Sequence, residues 1–392
     1  MTTQPQPIPL SAPDIGETEI AAVVSVLRGQ RLSLGPKLEE FEQCIASYIG
    51  VPHAVAVSSG TAGLHLSLLA LELGPGDEIL VPSFAFIAAA NAVRYVGATP
   101  VFVDIDPLTL NLDPNKILDA ITHRTRAILV VHTFGVPAEM PLILDLARRH
   151  NLFVIEDACE AIGAEYAGQK VGALGDIGVF AFYPNKQITT GEGGMIVTRN
   201  SALAARMRAL RNQGREDSSD WFQHSVLGYN YRLSEIACAL GIEQCKRLAS
   251  ILQRREVVAC EYDKRLRDHL DLILPPLELP SRRISWFVYV VRLADRFTQQ
   301  DRDAVASQMT LHGIGCGRYF APIHLQPSYA AWNHLDHLKT TETQASRTLA
   351  LPFFNRLQPE DIDRVCRVLK QSIANVSASN HESGEVHVSN IR

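Results

Sequence analysis

From about residue 13 to residue 260, short β-rich runs alternate with longer helical runs, and several of the strand segments are apolar on both faces. This pattern constrains the fold more than any other feature. Ala127–Val131 and Leu152–Ile155 contain no polar residue that could face water. A strand of that kind belongs to a parallel sheet covered by helices on both sides. The pattern predicts strands at His53–Val57, Glu78–Pro82, Thr99–Val103, Ala127–His132 and Leu152–Ile155. The helices predicted between them are Thr61–Leu73, Ile87–Val96, Asn115–Ile121 and Met140–Arg149. Near Val179–Thr198 two apolar runs flank a glycine-rich turn, and a long helical stretch follows from Ser234 to Leu266. Prolines at 275, 276 and 280 then mark a change in composition.

The expected architecture is α/β. Residues 1–12, rich in Pro, Gln and Thr, form an extended arm, and 13–260 form a large domain on a mostly parallel sheet. Residues 261–375 form a smaller α+β domain, and the polar stretch 376–392 reads as a frayed tail. The formal charge of −5 over 392 residues offers no electrostatic reason for binding nucleic acid or an anionic membrane. The seven cysteines include no CxxC pair, which argues against a disulfide framework and a structural zinc site, so no metal is expected. The N-terminus lacks the pattern of a signal peptide, and no run approaches the ~18 apolar residues of a membrane span. The expected location is therefore cytoplasmic.

Three segments carry chemistry. Ser58–Gly63 joins a strand to an apolar helix. Its small residues, Gly60 among them, let a ligand approach the backbone, and the N–H groups of a helix start favour a phosphate, although Ser, Gly and Thr also simply cap helices. Glu156 and Asp157 end a strand, where ligands of open α/β sheets bind and where a carboxylate can hold a cationic cofactor atom or cap the next helix. An apolar strand, Gly178–Phe182, then runs through Tyr183 and Pro184 to Lys186, followed by a glycine-rich turn to Gly194. The chain has 37 Lys plus Arg, and only eight of them are lysines, so a lysine beside an apolar run is notable. Partial burial would make its amine a nucleophile, whereas on a surface turn it would serve only solubility. A phosphate cup, an acid for a ring nitrogen and a lysine for an aldehyde together fit pyridoxal 5′-phosphate (PLP).

The ordered motifs SSGTAGLHLSLLAL (58–71), GPGDEILVPSFAF (74–86), VGATPVFVDIDP (96–107), EDACEAIGA (156–164), GDIGVFAFYPNKQITTGEGG (175–194), GYNYRLSEIACALG (228–241) and IHLQP (323–327) resemble those of the DegT/DnrJ/EryC1/StrS family of PLP-dependent sugar aminotransferases. The likeness runs from about Ile8 to Leu369. It implies the type I, aspartate aminotransferase-like fold of PLP-dependent transferases. It also implies that Lys186 binds the cofactor aldehyde, Asp157 pairs with the pyridinium nitrogen, Thr61 and Ala62 hold the phosphate, and Phe86 stacks on the ring. Asn230 would reach the phosphate in the other subunit of a homodimer with shared sites. In two places the sequence departs from the family's common pattern. Glu160 stands where a Gln often contacts the ring hydroxyl, and Ala181 stands where a Ser often binds the phosphate. Asn185 and Gln187 are the candidates to replace that last contact. His324, in IHLQP, is a candidate substrate contact, or a structural histidine in a proline-bounded turn.

The implied reaction passes an amino group from glutamate, through pyridoxamine phosphate, to a keto-sugar linked to a nucleotide, in amino-sugar biosynthesis. Two alternatives share the fold. A sugar dehydratase of the family has His at the lysine position, which Lys186 opposes. A non-catalytic sugar sensor would have no need of the lysine and the aspartate together.

Overall fold

The computed structural model describes residues 6–216, 223–332 and 337–389, without the side chains of 380–389. Seven strands form the central sheet: His53–Val57 (β1), Glu78–Pro82 (β2), Thr99–Val103 (β3), Thr125–Val131 (β4), Phe153–Asp157 (β5), Ile177–Ala181 (β6) and Gly194–Thr198 (β7). Their spatial order is β1-β7-β6-β5-β4-β2-β3. All neighbours pair parallel except β7, which runs antiparallel to β1 and β6. The glycine-rich turn explains that exception: β6 and β7 form a long-looped hairpin, and Lys186 lies in the loop.

The strand pleat sends alternate residues to opposite faces. On β4, Ala127, Leu129 and Val131 enter one core with the helices Gly60–Ala70 and Ala88–Tyr95, while Ile128 and Val130 enter another with Met140–His150. Both faces are therefore covered, as the doubly apolar strands require. The expected helix Ser234–Leu266 is two helices, Glu235–Lys246 and Leu248–Leu266.

The Leu248–Leu266 helix starts in the core beneath the sheet, with Leu248 and Ile251, and ends in a separate core with Val258, Tyr262 and Leu266. The boundary read at residue 260 thus falls inside a continuous helix. The second core surrounds a three-stranded antiparallel sheet whose central strand is Tyr289–Leu293, flanked by Leu272–Ile273 and Thr348–Leu351. Ile8 of the N-terminal arm is buried there and bridges Ile314. The stretch read as a frayed tail is helical as far as Ser389, at the end of a helix that begins at Pro359. Among the described residues, no helix is long and apolar enough to cross a membrane.

Gly178, the second residue of β6, packs against the backbone of Gly172. A Cβ at position 178 would stand 2.2 Å from the Gly172 carbonyl oxygen and 2.4 Å from its Cα. Backbone cannot rotate away as a side chain can, so Gly178→Ala should lower unfolding stability by about 1–3 kcal/mol. Chemical denaturation checks this, with wild type as reference.

Candidate active site

Where β4, β5 and β6 end, Val131, Asp157 and Ala181 face the same side of the sheet. Val131 is in register with Asp157, and Asp157 with Val179, two residues before Ala181. These three side chains line a cavity of about 300 Å³, together with the start of the Gly60–Ala70 helix, the Lys186 loop and, from the chain's second half, Phe287, Tyr319 and Phe320.

Strand parity separates the two adjacent acids. Glu156 points to the far face, fully buried, and accepts the N–H groups of Gly172, Leu174 and Gly175 at 2.7, 2.8 and 2.6 Å. It also meets Nε2 of His132 at 2.9 Å. The other ring nitrogen, Nδ1, accepts the Ala138 N–H, so Nε2 carries the proton and donates it to Glu156. Glu156 is thus a structural anchor. Asp157 faces the cavity, 9% exposed, and its Oδ1 accepts the Cys159 N–H at 3.1 Å. Burial raises its pKa, while the Cys159 contacts and the Lys186 charge pull the other way. Burial, with the Asp157 charge beside it, holds the Cys159 thiol well above its ordinary range and so unreactive.

Lys186 projects into the cavity. Its Nζ lies 3.6 Å from Oε1 of Glu160 and 4.0 Å from the centre of the Phe287 ring. The other Glu160 oxygen accepts the Phe134 N–H at 2.9 Å. Burial raises the Glu160 pKa as well, opposed first by the charge of Lys186. Two buried carboxylates therefore share one ammonium, a balance that favours a further cationic partner.

At the helix start, Ser59 Oγ accepts the Ala62 N–H at 3.1 Å, and the Ser59 carbonyl accepts that of Gly63. The first-turn amides left for an anion are those of Gly60 and Thr61. Both residues line the cavity, whereas Ala62 does not. A Cβ on Gly60 would stand 2.8 Å from both Ala181 Cβ and Cys159 Sγ, so a glycine keeps this cradle open.

Of the other sequence candidates, Phe86 lines the cavity at its edge, 63% exposed. Asn185 lines it too, and its buried Oδ1 has no hydrogen-bond partner. Gln187 is turned away, with its amide on the Glu160 carbonyl at 2.7 Å and on Ser285. Asn230 is exposed, bridges Asn212 and lies outside the cavity wall of its own chain. His324 is not among the residues that line this cavity. The residue is fully buried away from the cavity, with Nδ1 2.7 Å from Ser83 Oγ and Nε2 3.1 Å from Glu342, so no ring nitrogen is left for a ligand. Phe287, Tyr319 and Phe320 escaped the sequence reading. They lie far along the chain in segments with no motif of their own, although Tyr319 and Phe320 stand just before the IHLQP stretch.

The chain matches the DegT/DnrJ/EryC1/StrS aminotransferase family over residues 13–370. It belongs to that family. A curated relative, GDP-perosamine synthase of Caulobacter vibrioides, is 46% identical over 343 residues, which cover 86% of this chain and 91% of the relative. Among solved structures, the aminotransferase TlmJ from Streptoalloteichus hindustanus superposes with a TM-score of 0.89 at 33% identity, covering 94% of this chain and all of its own. The PLP form of Spr1654, a Streptococcus pneumoniae chain described as a sugar aminotransferase, gives 0.89 at 27% identity, covering 94% and 99%. The protein is a PLP-dependent aminotransferase of the type I fold.

The residues of this DegT/DnrJ/EryC1/StrS aminotransferase fit the cofactor. The Gly60 cradle and two first-turn amides suit a phosphate, the buried Asp157 suits a protonated ring nitrogen, and Lys186 suits an aldehyde.

The raised pKa of Asp157 has a consequence for the cofactor-free protein. The folded state keeps a proton that the unfolded chain releases at the ordinary value of 3.8. Stability is therefore fullest below that value and is lost as pH rises through the folded-state pKa. Asp157→Asn cannot ionise and escapes this loss. Without cofactor, the variant should melt a few degrees above wild type near about pH 7, and the gap should close toward about pH 4. Thermal scans of both proteins across that range check it.

Proposed function

We propose that this aminotransferase moves an amino group from glutamate to a keto-sugar carried on a nucleotide, as a homodimer in which Asn230 completes the partner's phosphate site. The observation that carries the reading is Lys186, half-buried between Glu160 and Phe287 in the cavity that Asp157 also lines, in a chain 46% identical to a GDP-perosamine synthase. Bound PLP supplies an aldehyde that takes up an amine, and a protonated ring that disperses the charge left when the adjacent carbon gives up its proton. The protein's own groups do the rest. Asp157 keeps the proton on the ring nitrogen, because a carboxylate in a water-poor site is stabilised by that cation. The Nζ of Lys186 would serve as the general base and acid that holds and moves the proton of the substrate carbon. Gly60 and Thr61, with Ala62 beside them at the helix start, would hold the phosphate, Asn185 is the candidate for the contact absent at Ala181, and Phe86 would cover the ring.

A shared site is supported by what the cavity wall lacks. A phosphate dianion needs several donors, and Ala181 offers none through its side chain. Asn230 is exposed, as is Leu227 at 85%, and the carbonyl of the next residue, Tyr231, accepts the Ser58 N–H at 2.8 Å, one residue before the cavity-lining Ser59.

Glutamate should bleach the visible band of the bound cofactor, and one member of a panel of nucleotide-linked keto-sugars should then restore it and gain an amino group by mass. A panel without an acceptor would contradict the substrate assignment. The shared site has its own check. Inactive Lys186→Ala and inactive Asn230→Ala chains, mixed into hybrid dimers, should regain part of the activity, since one site then carries both lesions and the other neither. No recovery in proven hybrids would place Asn230 in its own chain's site.

A further inference from the structure

Arg255, in the Leu248–Leu266 helix, is 3% exposed. Its guanidinium donates to three neutral oxygens: Nε to the Trp286 carbonyl at 2.7 Å, Nη2 to the Phe287 carbonyl at 2.8 Å, and Nη1 to Oδ1 of Asn355 at 3.0 Å. Its link to a carboxylate is indirect, through Asn355, whose Nδ2 donates to Asp14 at 2.9 Å. Burial lowers its pKa to about 10. A buried cation held by neutral acceptors is an expensive way to join two backbone carbonyls, and ordinary packing would not demand it.

Those carbonyls belong to the segment that closes the cavity over Lys186. Ser285 donates through its backbone N–H to the Gly135 carbonyl at 3.0 Å and through Oγ to that of Ile162 at 2.6 Å. Gln187, the residue after Lys186, donates to the Ser285 carbonyl at 3.1 Å. Two residues further, the Phe287 ring stands over Nζ of Lys186. The segment is therefore fastened at Ser285 to the sheet domain and the lysine loop, and at Trp286 and Phe287 to Arg255.

We propose that Arg255 is a positioning residue for the transamination reaction: by holding the carbonyls of Trp286 and Phe287 it keeps the Phe287 ring against Lys186 and sets the space in which the amine moves. The ring closes one side of the amine and Glu160 lies on another, so the amine is directed toward the cavity. Release of the ring lets water reach Nζ and lets the amine turn from its working direction. Misplacement of that order slows proton transfer while leaving the sugar site intact. This inference rests on Lys186 as the cofactor-bearing residue.

The test uses the holoenzyme with Arg255→Lys, Phe287→Leu and the double variant. Lysine keeps the charge but cannot span three acceptors as the planar fork does. Each single variant should lose about tenfold in kcat per bound cofactor, with KM for the sugar unchanged, and should shift the pH midpoint of the visible band. The double variant should lose no more than either single one, because both lesions break the same chain of contacts. Losses that multiply, or a lower melting temperature with band and kcat unchanged, would leave Arg255 a purely structural role and overturn the proposal. Should Arg255→Lys not fold, Phe287→Leu decides, since it leaves both carbonyls in place: an unchanged band and rate would overturn the inference. A Lys186→Ala control separates the two claims, because a band that persists there removes the lysine assignment itself.

Discussion

Two buried carboxylates and one half-buried lysine line the same cavity, and the unbalanced charge they make is the constraint on which the site depends. Asp157 and Glu160 both have raised pKa values because burial disfavours their charged forms. A cation arriving next to Asp157 relieves the imbalance, and an anion at the helix start meets two first-turn amides. The site thus suits a ligand that is positive at one end and negative at the other. Two raised carboxyl pKa values imply a cost to stability near neutral pH, the usual relation between a working site and the fold that carries it.

The sheet supplies the geometry. At the ends of the parallel strands, side chains from β4, β5 and β6 converge on one side, and the pleat decides that Asp157 rather than Glu156 faces the cavity. Glu156 answers the opposite need, gathering three backbone N–H groups and a histidine on the far face. The antiparallel β7 returns the chain so that Lys186 hangs in a loop above Asp157, and glycines at 60 and 178 allow the close approaches that this packing requires.

The large domain was largely legible in the sequence because its signals are local. His53–Val57, Glu78–Pro82 and Thr99–Val103 have the bounds read from the pattern, since apolar runs ended by Gly, Pro or Asp have few alternatives. Lys186, Asp157 and the Gly60 turn, which line one cavity, stood out for the same reason. Period-two alternation also implies that Glu156 and Asp157 face opposite ways, although it does not tell which faces the ligand. Phe287, Tyr319 and Arg255 were not legible, because their roles come from contacts between distant segments that no local pattern encodes. His324 is the converse case: its motif drew attention, while its buried ring meets Ser83 and Glu342 and does not line the cavity. The break at Arg247 was hidden because the residues on both sides favour a helix.

The central claim is that Lys186, out of eight lysines, bears the cofactor. Borohydride reduction of the PLP-loaded protein fixes the cofactor to its lysine, and peptide mass spectrometry then locates it. The account predicts the added phosphopyridoxyl mass on the peptide containing Tyr183–Gln187, at Lys186. The same mass on any other lysine, with Lys186 unmodified, would contradict it.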